Sequence, residues 1–446
     1  MIQMSLPKKL LCTALLLTLA GGAQANPDRL GQDLTPVGAE RAGNAAGTIP
    51  EWTGGISQSD DRYTNPFAGE QPLFVITAAN YQEHREQLTD GQVAMFQRYP
   101  DTFRMPVYTT HRTAALPQHI YDAGKENARN ARLTEDGNGL LNLKEALAFP
   151  IPENGLQVIW NHMTRYRGGA LERTFVQVPV QANGTFTPVR INEKLSWPSY
   201  LLDANSGEER HDNILFYFVQ EVTAPARLTG TILLVHETMN QVQQPRQAWT
   251  YNSGQRRVRL APNIAYDAPG TATDGMRTTD NLDMFNGAPD RYNWELVGKK
   301  EIYIPYNSWK LADRNLSYSD IIQAGHLNPD LTRYELHRVW KVEATLKDGQ
   351  RHVYAKRTFY IDEDTWQIAT VDHYDGRGEL WRVGEMHKVM SRDVLVPGSA
   401  AETFYDLQSG RYLVGGLTNE ERVGYDFTQR FNFRDFTPQA IRRAGR

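Results

Sequence analysis

The stretch Tyr334-Glu335-Leu336-His337-Arg338-Val339-Trp340-Lys341-Val342-Glu343-Ala344-Thr345-Leu346 decides the fold. Tyr334, Leu336, Arg338, Trp340, Val342, Ala344 and Leu346 alternate with Glu335, His337, Val339, Lys341, Glu343 and Thr345. A period of two is what a strand needs when one face meets a core and the other meets water. Asp348-Gly349 then turns the chain into Val353, Ala355, Phe359 and Ile361, and Asp362-Glu363-Asp364 turns it again into Trp366 and Ile368. Three successive strands joined by tight turns make an antiparallel meander.

Working outward, the same period runs from Leu171 to about Val414. It predicts further strands at 214–223, 228–236, 246–260 across the Asn252-Ser253-Gly254 turn, 294–304, 379–390 and 402–414. Strands in that number with few helices between them exclude a doubly wound parallel fold. The stretch from Pro262 to Arg291, with Asp274-Gly275 and Asn286-Gly287, reads as a loop, and one of that length inside a β domain is usually functional or edge-covering. Towards the N-terminus, residues 26–75 are rich in Gly, Pro, Asn and Thr without either period, which predicts an irregular arm. Asn80 caps a short helix to Leu88, and Thr89 or Asp90 caps a second that carries Val93 and Phe96 and stops at Pro100. Residues 118–148 read as helical in part. Asn154, with Gln157 three residues on, starts the clearest helix, with Leu156, Ile159, Trp160 and Met163 on one face to cover something apolar. The predicted organisation is a leader at 1–25, an irregular and partly helical arm at 26–147, a curved antiparallel sheet domain at 148–415 and a C-terminal tail at 416–446.

Lys8 and Lys9, the apolar run Leu10–Ala20 and Ala23-Gln24-Ala25 have the order of a secretory signal cleaved after Ala25. Cys12 lies inside the run behind Leu11, so this is not the pattern of a lipoprotein leader. The chain from Asn26 then holds 421 residues with a formal charge of −6, because Lys8 and Lys9 go with the leader. That balance argues against a nucleic-acid partner, and loss of the one cysteine excludes disulfides and thiolate chemistry. There is no nucleophile elbow, phosphate loop, dinucleotide fingerprint or His-Glu-x-x-His, so no cofactor or metal is called for and the chain reads as non-enzymatic. His236-Glu237 lacks a second histidine at helical spacing. Asp274, Asp280, Asp283 and Asp290 do not fit a calcium loop and read as a solvated loop. Arg256, Arg257 and Arg259 read as edge protection on an outer strand.

Leu34-Thr35-Pro36-Val37-Gly38-Ala39-Glu40-Arg41-Ala42-Gly43-Asn44 and Gly47-Thr48-Ile49-Pro50-Glu51-Trp52-Thr53-Gly54-Gly55 resemble the opening signature of a proteobacterial periplasmic family of unknown function, described as outer-membrane lipoprotein-sorting-like. Phe149-Pro150-Ile151-Pro152 with Trp160-Asn161-His162, Arg256-Arg257-Val258-Arg259, Val297-Gly298-Lys299-Lys300 and Pro305-Tyr306-Asn307 extend the resemblance over nearly the whole chain after the leader. It implies a half-barrel similar to the lipoprotein carriers LolA and LolB, whose curved sheet holds acyl chains under covering helices. It also implies company with an inner-membrane pump of the resistance-nodulation-division type and a partner at the outer membrane.

Residues and resemblance together predict a periplasmic carrier or adaptor, acting without covalent chemistry on a lipid or other hydrophobic molecule. The alternative is a scaffolding subunit whose core is full and which binds partner proteins. For the carrier, the apolar sheet face supplies Phe216, Phe218, Leu336, Trp340, Val342 and Phe359 as ligand contacts, with Trp160 on the lid.

Overall fold

The structure is a computed structural model that describes residues 26–204, 211–261 and 264–445; the leader at 1–25 lies outside them. The N-terminal segment carries β1 (Phe74–Ile76), α1 (Asp90–Arg98), β2 (Met105–Val107), α2 (Gln118–Asn130), the small hairpin β3 (Arg132–Leu133) and β4 (Leu140–Leu141), and α3 (Gly155–Thr164). A first meander follows: β5 (Ala170–Val180), β6 (Val189–Ser196), β7 (Ile214–Ala224), β8 (Ile232–Thr238), β9 (Gln247–Asn252) and β10 (Arg257–Leu260). The second comprises β11 (Tyr292–Pro305), then, after α4 (Tyr318–Ile321), β12 (Tyr334–Leu346), β13 (Lys356–Asp362), β14 (Ile368–Tyr374), β15 (Leu380–Ser391), β16 (Val396–Asp406) and β17 (Tyr412–Leu417). The chain ends with β18 (Tyr425–Asp426) beside β5 and α5 (Pro438–Ala444).

Within each meander every strand pairs antiparallel with the next, and the two join where β17 pairs with β5, placing Val414 opposite Val178. The result is one open, curved antiparallel sheet, with β1 and β2 added beside the start of β12. β10 and β11 therefore lie at opposite ends of the joined meanders, and residues 261–291 must travel between them. That segment crosses the inner face, where the Gln177 amide donates to the carbonyls of Thr271 at 2.9 Å and Ala272 at 2.7 Å. The loop predicted from the sequence is thus the roof of the sheet. Asp280 and Asp283 are not solvated as expected but are held by arginine, whereas Asp274 is exposed as expected and pairs there with Arg411.

On the inner face the register sets Val342 beside Phe359, Phe359 beside Val371, Val371 beside Gly384, Gly384 beside Phe404 and Phe404 beside Leu413. α3 packs Val158, Ile159, Trp160 and Met163 onto that row. The helix starts where the sequence places it, since the Asn154 side chain accepts from the Gln157 N–H. Thr89 and Gln92 likewise close a reciprocal cap on α1, which satisfies two backbone donors that would otherwise be orphaned.

The opposite face departs from expectation. It is not wet: α1 sets Met95 and Phe96 in a second core with Val383, Tyr405, Val414, Val176 and Val178. The arm has no period because it is not a repeating element; it caps the sheet with irregular backbone. Gly91 shows how closely, its N–H donating to the Asp372 carboxylate at 3.1 Å where a Cβ would clash. The far end of β12 keeps a wet outer face, where Lys341 and Lys356 reach Glu343 at 2.7 and 2.9 Å. The near end of β12 runs past the last β13 pair, Val339 with Asp362. Tyr334 and Leu336 then pack in the outer core, and the Tyr334 hydroxyl donates to Glu385 at 3.0 Å.

Candidate functional site

The inner faces of β5, β6 and β7 do not repeat the pattern of the second meander. β5 presents Leu171, Arg173, Phe175 and Gln177, β6 presents Glu193 and Leu195, and β7 presents Phe216, Phe218 and Gln220. These, together with Met386 on β15, Glu402 on β16 and the chain after α3, bound a cavity of about 140 Å³, room for roughly ten water-sized spheres. The exposed Tyr63 of the arm is part of its wall, where it meets solvent. The strand wall mixes aliphatic and aromatic groups with Arg173, Gln177, Glu193, Gln220 and Glu402, and a further polar cluster lies in the roof.

That cluster centres on Asp283 in the crossing segment. Arg165 reaches its carboxylate at 2.5 Å and Arg167 at 2.7 Å. Burial opposes ionisation, but the Arg165 and Arg167 charges hold the Asp283 carboxyl well below its ordinary value. Asp283 has φ 55°, a left-handed backbone that Asp tolerates. His162 on α3 fixes the same turn. Its Nδ1 accepts the Ile368 N–H at 3.1 Å, so Nε2 carries the proton and donates to the Asp283 carbonyl at 2.8 Å. Burial, and then the Arg165 charge, push His162 down to about 3, so the ring is neutral.

The Arg167 guanidinium lies 4.8 Å from the ring centres of both Trp197 and Phe216, and burial brings it down to about 10. Arg173 covers Phe175 at 4.5 Å and donates from Nε to Glu193 at 2.6 Å. Two groups stand apart. Arg277 makes no side-chain hydrogen bond or ion pair with any described residue, and its Nε is buried without a partner. Glu402 has no described ion pair either, and burial, with Asp283 adding to it, pushes its carboxyl up to about 7.

Of the contacts predicted from the sequence, Phe216 and Phe218 line this cavity. Trp160, Val342 and Phe359 lie in the filled core of the second meander, where Phe359 meets Phe285 and Trp294 at 5.7 and 5.8 Å. Trp340 sits at that core's margin, 6.2 Å from Trp366, beside a shallow groove bounded by Gly38, Pro150 and Lys299. Leu336 is on the other side of the sheet. These five pack against protein because α3 and the crossing segment fill the second meander's hollow and leave the first meander's open. Sequence reasoning missed the arginines. The signal was Arg173 and Gln177 on one face of β5 while Val176, Val178 and Val180 filled the other with apolar groups.

Other charged clusters are internally matched. His337, Asp362 and Asp364 lie close enough to share a cation, yet Asp362 holds Lys388 at 2.9 Å, Asp364 holds Arg112 at 2.7 Å and His337 faces Glu335 at 3.1 Å. Glu237 is buried against Arg246 at 2.8 Å, and Arg257 and Arg259 lie exposed on the outer strand β10.

A family model described as "protein of unknown function (DUF1329)" matches residues 75–442. An uncharacterized protein of Pseudomonas aeruginosa is 58% identical over 423 residues, covering 94% of this chain and 92% of that one. A solved domain described as an outer-membrane lipoprotein-sorting protein, from Vibrio parahaemolyticus, superposes with a TM-score of 0.44 at 13% identity, covering 65% of this chain and 98% of its own. A DUF1329 family protein of Desulfovibrio piger gives 0.41 at 13% identity over 61% and 91% of the two chains. A LolA superfamily protein of Nitrosomonas europaea gives 0.38 at 11% identity over 64% and 98%.

Proposed function

Since the chain belongs to the DUF1329 family of proteins of unknown function, we propose its role from the cavity itself: a periplasmic carrier or adaptor that shelters a lipid or other hydrophobic molecule without covalent chemistry. The carrying observation is that cavity, walled by Leu171, Phe175, Leu195, Phe216, Phe218 and Met386, whereas the inner face of the second meander is packed. Each methylene moved from water to such a wall gains about 0.8 kcal/mol, so even a short alkyl segment repays the ordering of a bound molecule. The leader pattern supports export, and no described helix is long and apolar enough to cross a membrane. The resemblance supports work between an inner-membrane pump of the resistance-nodulation-division type and the outer membrane.

The test is a fluorescence titration with the uncharged dye 1-N-phenylnaphthylamine. The wild-type chain binds it saturably, and Leu171→Trp, which fills the cavity, weakens it at least tenfold while stability falls by less than about 1 kcal/mol. A filled site charges about 1 to 3 kcal/mol for such an insertion. A wild-type chain that binds no dye, with a variant that melts early, returns the molecule to the scaffold reading.

A further inference from the structure

Resting on the carrier reading, we propose that the cavity takes an amphiphile with an anionic head, a phosphate or carboxylate, and that Arg277 receives that head while the alkyl part lies along Phe216 and Phe218. The charge pattern carries this. Arg62, Arg165, Arg167, Arg173 and Arg277 line the cavity against the carboxylates of Glu193, Asp283 and Glu402. Nearly all of these charges are spent within the protein. Arg62 is held by Asp393 and by the Tyr425 carbonyl, Arg165 and Arg167 by Asp283, and Arg173 by Glu193. Glu193 also accepts from Gln220. What is left over is a guanidinium, Arg277, with no acceptor among the described residues. The carboxyl with which it interacts most strongly, Glu402, forms no ion pair with it and holds its proton to near neutral pH.

A half-buried guanidinium whose Nε has no partner is held at an electrostatic cost, and a sheet needing only a stable core would fill this position with an apolar side chain. A ligand oxyanion repays the cost, because a guanidinium matches carboxylate and phosphate geometry in a bidentate fork. Arg277 sits in the crossing segment while Phe216 and Phe218 sit on β7. The cavity thus sets Arg277 in its roof against an apolar strip of the floor at Phe216 and Phe218, the division an amphiphile has along its own length.

Displacement of 1-N-phenylnaphthylamine by dodecyl phosphate, dodecanol and inorganic phosphate tests the proposal. Dodecyl phosphate should displace the dye at a concentration at least tenfold lower than dodecanol, and inorganic phosphate should not displace it. In Arg277→Gln the two dodecyl compounds should come within threefold of each other, and Arg277→Lys should restore part of the preference. Should Arg277→Gln fail to fold, Glu402→Gln at pH 8 serves instead: removing the facing negative charge should tighten dodecyl phosphate at least threefold relative to dodecanol. Dye binding with equal affinities for the two dodecyl compounds, or a preference that survives in Arg277→Gln, overturns the anionic head alone. Displacement by inorganic phosphate as effective as by dodecyl phosphate assigns the site to free phosphate and overturns the amphiphile. A chain that binds neither dye nor either dodecyl compound overturns the carrier reading and this proposal with it.

Discussion

Replacing Asp283 with Asn tests whether the crossing segment is latched over the sheet by charge. Asn occupies the same volume and accepts the same left-handed backbone, so the φ of 55° at this position adds no cost and the loss is of the carboxylate. Arg165 and Arg167, reached at 2.5 and 2.7 Å, would then have no counter-charge there, with side chains 3% and 15% exposed. Removing one partner of a fully buried pair costs about 3 to 5 kcal/mol. The partial exposure of Asp283 and Arg167 puts this case near 3 kcal/mol. Urea denaturation should show that loss, and hydrogen exchange should rise first at Phe285 and Asn286, whose amides bond within the turn. The pH dependence has a defined sign. The folded-state pKa of Asp283 lies below its unfolded value, so its contribution is complete above about pH 4 and is lost as pH falls further. The gap between wild type and variant should therefore persist from neutral pH to about 4 and close below it. A gap under about 0.5 kcal/mol at pH 7, with unchanged exchange at Phe285 and Asn286, refutes the latch.

Val342→Lys should destabilise by several kcal/mol, because Val342 is 0% exposed in the inner core, whereas Lys341→Gln at the wet end of β12 should stay within about 0.5 kcal/mol; equal melting shifts would reverse the faces. Glu385, buried under α1, has its carboxyl pushed up to about 7 by burial, so the folded chain binds more protons than the unfolded one between about pH 4.5 and 7. Stability should fall across that window by up to about 3 kcal/mol, and Glu385→Gln, fixed in the neutral form, should lose that part of the decline; parallel curves for the two proteins in urea series from pH 4.5 to 8 would contradict it. Exported protein should have the intact mass of the chain beginning at Asn26, and retention of residues 1–25 would remove the support for export.

The second meander is legible in the sequence because one face of β12 to β14 is apolar at every other position, and the turns at Asp348-Gly349 and Asp362-Glu363-Asp364 fix its register. The hairpin between β16 and β17 is not: Phe404-Tyr405-Asp406-Leu407 and Tyr412-Leu413-Val414 read as one strand over 402–414, because Leu407 breaks the polarity of the turn at Asp406 to Gly410. The capping of the outer face was hidden for a different reason. The arm attaches there through single long-range bonds rather than a periodic stripe, as where the Gly91 N–H donates to the Asp372 carboxylate at 3.1 Å and the Gln92 amide to the Tyr303 carbonyl at 3.0 Å. The site was half legible. Phe216 and Phe218 carry the alternation of β7, but Arg62, Arg165, Arg167, Arg173 and Arg277 are scattered over nearly half the chain and meet only once β17 closes on β5 and the crossing segment passes over the sheet.

The account turns on whether the hollow beneath that segment is where a hydrophobic molecule sits. A crystal structure of the wild-type chain with 12-bromododecanoic acid, its anomalous signal locating the bromine, answers this directly. The account predicts one bromine site in the cavity within contact of Phe216 or Phe218, with the carboxylate toward Arg277. A bromine bound instead in the groove beside Trp340, or no site in crystals grown at a concentration that saturates binding in solution, would contradict it.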